Sequence, residues 1–117
     1  MAAIELLATV PVFSVADLRR SLAFYRDRLG FDVVFDIGAY AGVKRGDMEL
    51  HLDGGAHEYS ARPTCCRYHI RGVDALYAQM EHEDFIKPDE RLATKHMRQF
   101  SVVDPDGNRI TFAQPLQ

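Results

Sequence analysis

The stretch Asp104-Pro105-Asp106-Gly107-Asn108-Arg109-Ile110-Thr111-Phe112 reads as strand, turn, strand. Asp106-Gly107 supplies the residues of a tight hairpin, because glycine takes positive φ without steric cost. Ser101-Val102-Val103 leads in, and Ile110-Thr111-Phe112 leads out with period-two alternation. Working back from the hairpin, Met97 to Val103 and Arg109 to Gln114 are strands, preceded by a loop from Lys87 to Lys95 and a short strand around Phe85-Ile86. Val73, Leu76, Tyr77 and Met80 mark one face of an amphipathic helix, and Cys65 to Ile70 is the strand before it. Gly54-Gly55 through Pro63 is a polar linker.

The first half carries the same order of elements. Leu7 to Phe13 reads as a strand, with Pro11 suiting an edge position. Asp17 is placed to cap a helix, and Leu18, Leu22, Tyr25 and Leu29 form its apolar stripe. Gly30 stands where a left-handed C-terminal residue belongs. Phe31 to Phe35, Tyr40 to Lys44 and Met48 to Leu52 are three further strands. The halves align at an offset of 55 through the first strand and helix, so that Val15 meets Ile70 and Leu22 meets Tyr77. They align at 60 at the last strand, where Leu50 meets Ile110 and Leu52 meets Phe112. The expected fold class is therefore α+β, with two βαβββ modules spanning approximately 1–55 and 64–117 of one domain. Each module leaves one sheet face uncovered by its helix. Two such faces set together make a cup-shaped half-barrel with the helices outside.

With 117 residues the chain has room for one ordinary domain with a core. Its net charge of −3 gives no basic field for nucleic acid. No apolar run approaches a membrane span, and Met1 to Val10 carries Glu5 and lacks a basic n-region, so it reads as a strand rather than a signal peptide. The two cysteines are Cys65 and Cys66. Neighbours in a strand point to opposite faces and do not bridge each other, and without a disulfide framework the expected compartment is the reducing cytoplasm.

The closing hairpin becomes specific beside a second segment, Val15-Ala16-Asp17-Leu18-Arg19-Arg20-Ser21-Leu22-Ala23-Phe24-Tyr25-Arg26-Asp27-Arg28-Leu29-Gly30-Phe31. Together they resemble the glyoxalase/bleomycin resistance protein/dioxygenase superfamily, the vicinal-oxygen-chelate proteins, over nearly the whole chain. The resemblance implies that ligands bind in the cup. In metal-dependent members it implies four strand positions, typically His and Glu, that hold one divalent metal. Here these fall on Val10, His51, Cys65 and Thr111. Valine has no donor atom, and threonine is a poor ligand for a divalent ion. His51 and Cys65 alone fall short of the three or four protein ligands zinc requires. The expectation is no metal, no other cofactor and no catalytic residue.

If His51 points into the cup, alternation turns Glu49 and Asp53 the same way; if Cys65 does, Arg67 and His69 follow. The resemblance adds Phe35, Tyr40, His96 and Phe100 from strands and loops that line the cleft in related proteins. With Thr111 this is an aromatic and polar lining, suited to capturing a flat polar molecule by stacking and hydrogen bonding. Plainer readings stand beside it: His51 as an interior hydrogen-bonded histidine, Cys65 and Cys66 as buried small hydrophobes, Asp104 and Asp106 as turn chemistry at a rim. Glu81, Glu83 and Asp84 at the end of the second helix oppose its dipole, a hint of another reason for them, but the reading preferred is a solvated surface.

Within the superfamily the likeness is to the bleomycin-resistance branch. It implies a metal-free, drug-sequestering protein and antibiotic resistance, with a small-molecule ligand of the bleomycin type and a homodimer whose clefts take residues from both chains. The branch's stacking tryptophans fall on Arg67 and His96, and Arg67 would repel a cationic drug. The alternatives are a lyase, isomerase or dioxygenase of the superfamily with an atypical metal site, and an interaction module whose cup is filled by its own side chains.

Overall fold

The computed structural model describes residues 3–55, 62–93 and 96–116, excepting the side chains of 87–93. Two modules of the same topology follow one another. The first comprises β1 (Val12–Ser14), α1 (Leu18–Ala23), β2 (Asp32–Asp36), β3 (Tyr40–Arg45) and β4 (Met48–Asp53). The second comprises β5 (Cys65–His69), α2 (Val73–Met80), β6 (Ile86–Ala93), β7 (Met97–Val103) and β8 (Arg109–Pro115). Each makes a four-stranded mixed sheet, ordered β1-β4-β3-β2 and β5-β8-β7-β6, and neither closes into a barrel. The last strand of each module inserts beside the first in parallel. Val12 lies opposite His51 and Arg67 opposite Thr111, which are the same rung displaced by the two offsets read from the sequence, 55 and 60.

Local chemistry accounts for the first helix. Asp17 caps it, accepting from the Arg20 amide at 3.1 Å. The helix then widens into a π-helical turn, Phe24–Arg28, closed by the Leu29 amide on the Phe24 carbonyl, and Gly30 ends it at φ 74°. The apolar stripe Leu18, Leu22, Tyr25 and Leu29 is buried, as its spacing requires.

One cluster of buried side chains draws on both modules, from Phe13, Leu50 and Leu52 to Phe100, Ile110 and Phe112. The helix-covered faces of the two sheets therefore share a core. Phe24 meets Phe85 edge-on at 5.5 Å, and Arg28 pairs with Glu83 and Asp84 at 2.7 Å each. Glu83 and Asp84, expected as solvated surface, thus tie the second module to the first, while Glu81 lies 3.5 Å from its neighbour His82.

The closing hairpin differs from the two-residue turn expected. Val103 pairs with Arg109, leaving a five-residue loop. Asp104 organises it, accepting from the amides of Asp106 (2.9 Å) and Asn108 (2.8 Å), with Gly107 at φ 85°. Asp104 is buried rather than at a rim, because Tyr25 of α1 reaches it from the other module. Asp106 accepts from the Ala16 amide at 3.0 Å, so the loop also holds the entry to α1.

Two expected elements change. The first strand begins at Val12 rather than Leu7, since the parallel register carries Leu7 past the end of β4 to the level of Gly46, where no strand remains to pair with it. The expected loop from Lys87 to Lys95 is strand β6 as far as Ala93, paired with β7 across an irregularity between Lys87 and Leu92. Residues 94–95, and 56–61 of the expected linker, lie outside the described residues. Among the described residues no helix is long and apolar enough to cross a membrane.

Candidate functional site on the open sheet faces

The sheet face opposite each helix is the candidate site. On β4, Leu50 and Leu52 are fully buried toward the core, so Glu49, His51 and Asp53 project from the open side. Cross-strand pairing adds Tyr40 opposite Asp53, and Gly42 opposite both His51 and Phe35. These residues form a connected group. The Glu49 carboxylate can only accept, so His51 donates to it from Nε2 at 2.7 Å, and Nδ1 of the neutral ring then accepts from Tyr40 Oη at 2.9 Å. Phe35 stacks on Tyr40 with 16° between the rings, and meets His51 edge-on at 5.1 Å. Burial, and then the charge of Asp53, raises the Tyr40 hydroxyl above the ordinary value, so it remains a hydrogen-bond donor near neutral pH.

Gly42 was not anticipated as a site residue. The Phe35 ring lies on its backbone, and a Cβ there would overlap Phe35 Cε1. A glycine inside the strand Tyr40-Ala41-Gly42-Val43 is the sequence signal for such an approach.

The second open face has different chemistry. Cys65, Arg67 and His69 project from β5, and Thr111 faces Arg67 across the β5–β8 rung. Arg67 donates through Nη2 to Gln99 Oε1 at 2.9 Å and through Nε to His69 Nε2 at 3.3 Å. Ser101 and Thr111 share a hydroxyl hydrogen bond of 2.8 Å. Gln99 and Ser101 were also missed; counting β7 back from Thr111 through the hairpin would have placed both.

Eight of the expected lining residues thus fall on the two open faces: Phe35, Tyr40, Glu49 and His51 on one, Cys65, Arg67, His69 and Thr111 on the other. Two do not join them. Phe100 is 1% exposed, because it pairs with inward-facing Phe112 and packs edge-on against Tyr77 of α2 at 5.3 Å. His96 is exposed at the far end of β7, its carbonyl accepting from the Leu116 amide. Cys65 is exposed rather than a buried hydrophobe, while Cys66 turns toward the core, where burial pushes its thiol up to about 11.

The four metal positions do not fit a divalent ion. Both ring nitrogens of His51 are engaged, Thr111 Oγ1 is bonded to Ser101, Val10 offers no donor, and Cys65 belongs to the other sheet. Among the described residues no three His, Cys, Asp or Glu side chains gather as a metal site. A separate hollow of about 300 Å³ lies on the helix-covered side, between Arg45, Met48, Ile70, Arg71, Leu76 and Gln79, and includes none of the open-face residues.

Residues 8–112 match the model of the Glyoxalase/Bleomycin resistance protein/Dioxygenase superfamily. The chain belongs to this superfamily. A bleomycin resistance protein of Geobacillus stearothermophilus is 28% identical across 96% of this chain and 99% of its own length. The bleomycin-binding protein of Streptomyces verticillus, solved with copper(II)-bleomycin, is similar at a TM-score of 0.64 and 25% identity, covering 94% of this chain and 97% of that one. A lactoylglutathione lyase of Agrobacterium tumefaciens has the same fold at a TM-score of 0.74 and 18% identity, covering 94% and 95%. This fold thus occurs in both a drug-binding protein and a lyase, so the fold alone assigns neither activity.

Proposed function

We propose that this chain is a metal-free, ligand-sequestering protein of the cytoplasm, acting as a homodimer, and that its ligand is a small molecule of the bleomycin type. The observation that carries this is His51. At the position where a metal enzyme of the superfamily would place a ligand, the imidazole is tied on both nitrogens and packed against Phe35 and Tyr40. The result is a wall for stacking and hydrogen bonding rather than a metal centre. The drug-binding relatives support the ligand class.

Two observations support the dimer. The Tyr40–His51–Glu49 bonds stay within the first open face and the Arg67–Gln99 and Ser101–Thr111 bonds within the second, and partly exposed Glu49 with exposed Cys65, Arg67 and His69 leaves surface on both for a partner to cover. The segment ahead of β1 is apolar and projects into solvent, with Ile4 91%, Leu6 94% and Leu7 84% exposed. Exposed apolar surface of this kind marks an interface, and a two-fold dimer would set each first-module face against the partner's second-module face.

Titration calorimetry against bleomycin, with and without copper, tests the reading. Saturable binding that weakens in Tyr40→Ala is expected. Stoichiometric metal in the purified protein, lost on His51→Ala, would overturn the metal-free assignment.

A further inference from the structure

The described outward residues of the two open faces differ in charge. The first presents Asp32, Glu49 and Asp53 against the single cation Lys44. The second presents Arg67 and Arg109, and none of its described outward residues (Cys65, Arg67, His69, Met97, Gln99, Ser101, Val103, Arg109, Thr111 and Ala113) is a carboxylate. Arg67, His69 and Cys65 are exposed, whereas Ser101 at 2% and Ala113 at 0% are buried.

We infer that Arg67, with the Ser101–Thr111 hydroxyl pair beside it, is an oxyanion subsite, and that the natural ligand carries a carboxylate or phosphate next to a flat ring. This rests on the reading of the open faces as the walls of the ligand cleft. Arg67 is positioned by two neutral acceptors, Gln99 Oε1 and His69 Nε2, so its hydrogen bonds orient the guanidinium without neutralising it. Of its five N–H groups two are so engaged, and the Nη1 pair has no partner among the described residues. Directly across the β5–β8 rung stands Thr111. Ser101 is 2% exposed and Thr111 partly exposed, so with Ser101 donating to Thr111 it is the Thr111 hydroxyl hydrogen that is left to donate toward Arg67's side of the sheet. A planar fork beside a hydroxyl donor, bonded to no carboxylate among the described residues, matches an oxyanion. Facing it across the proposed cleft, Phe35 and Tyr40 supply a stacking surface, and Glu49 a site for a cationic or hydrogen-bond-donating group. A ligand with both poles satisfies both walls, whereas a purely cationic one is repelled at Arg67.

The probes are phenyl phosphate and benzoate, with benzylamine as the cationic counterpart, titrated into the isotopically labelled protein and followed by amide NMR. At least one oxyanion is expected to shift the amides of Arg67, Gln99 and Thr111 saturably, and the tighter of the two identifies the group as phosphate or carboxylate. Arg67→Gln should weaken that binding by about tenfold or more, the scale of a lost charge-assisted contact. Arg67→Lys should fall between, because it keeps the charge and loses the fork. Arg67 is exposed, so an unchanged melting temperature in both variants shows that the fold is intact. Equal binding of the oxyanion by Arg67→Gln, or the same amide shifts with benzylamine, would overturn the inference. Bleomycin binding with no response to either oxyanion ends the inference and leaves the drug-binding reading standing. Oxyanion binding lost in Arg67→Gln, in a protein that ignores bleomycin, supports the inference and ends the bleomycin reading.

Discussion

Tyr25 Oη donates a 2.9 Å hydrogen bond to Asp104 Oδ2, joining the first helix of one module to the closing hairpin of the other across 79 residues. Both groups are buried, and Asn108 Nδ2 shares the same carboxylate oxygen at 3.1 Å while also donating to the Ser14 carbonyl at 3.0 Å. The two sequence segments that carry the family resemblance are therefore in contact, and their contact holds the modules together.

Removing either partner should loosen that junction. Tyr25→Phe leaves Asp104 one donor short in a buried setting and should cost about 1–2 kcal/mol in urea unfolding. Asp104→Ala strips the loop amides of their acceptor as well and should cost more, about 2–4 kcal/mol. Burial raises the Asp104 carboxyl above its ordinary 3.8, opposed by the hydrogen bonds from Asn108 and Tyr25. The stability linked to its protonated form is thus full below pH 3.8 and is lost as pH rises through the raised value. Asp36 has the opposite sign. Its hydrogen bond with Arg19, and then that from the Gly38 amide, lower it to about 2, so its contribution is present above pH 3.8 and is lost as pH falls through about 2. NMR titration of the two carboxyl carbons should find midpoints on opposite sides of 3.8.

The cysteines should separate by reactivity. Cys66 is pushed up to about 11, chiefly by burial, so at pH 8 only about one part in a thousand is thiolate. Cys65 is exposed on the open face. A thiol-reactive dye at pH 8 should therefore label one site quickly and the second only after unfolding. Cys65→Ser should abolish the fast phase. Two fast equivalents in the folded protein would contradict the placement of Cys66.

Much of this architecture is legible in the sequence because it rests on local chemistry. Asp17, Gly30, Asp104 and Gly107 act within a few residues of themselves, and the stripe Leu18, Leu22, Tyr25 and Leu29 needs only helical periodicity. The doubled offset recovers even the rung register, since Val12–His51 and Arg67–Thr111 are one relationship repeated. What escapes the sequence depends on distant partners. Asp104 looks like a rim residue until Tyr25 arrives from the other module. Leu7 reads as strand by composition, but whether it pairs depends on where β4 ends. Phe100 enters the expected lining through the resemblance, on a strand that lines the cleft in related proteins. Its side is set by pairing with Phe112, and that register would have turned it into the core.

Assembly is open to direct measurement. With the apolar segment around Ile4, Leu6 and Leu7 and both open faces uncovered in one chain, sedimentation should find a dimer at micromolar concentration. Leu6→Ser combined with Leu7→Ser should weaken the dimer and leave the monomer folded, because neither side chain belongs to the core. A wild-type monomer at that concentration would contradict the dimeric cleft.

Gly42 offers the sharpest test of how the first wall is built. Phe35 lies over its backbone, with Cδ1 2.8 Å from where a Cβ would stand, and the ring is boxed in by Tyr40 and His51. Gly42→Ala must therefore move the ring rather than the strand, whose backbone at Gly42 has no positive φ and accepts alanine conformationally. Overpacking at such a contact costs about 1–3 kcal/mol. Part of that cost should be recovered in Gly42→Ala combined with Phe35→Leu, where the smaller side chain yields. The displaced ring also loses its stack on Tyr40 and its edge contact with His51, so bleomycin binding should weaken in Gly42→Ala beyond what the change in stability explains. Unchanged calorimetric affinity in Gly42→Ala would mean that Phe35 is a cover for the strand and takes no part in holding ligand.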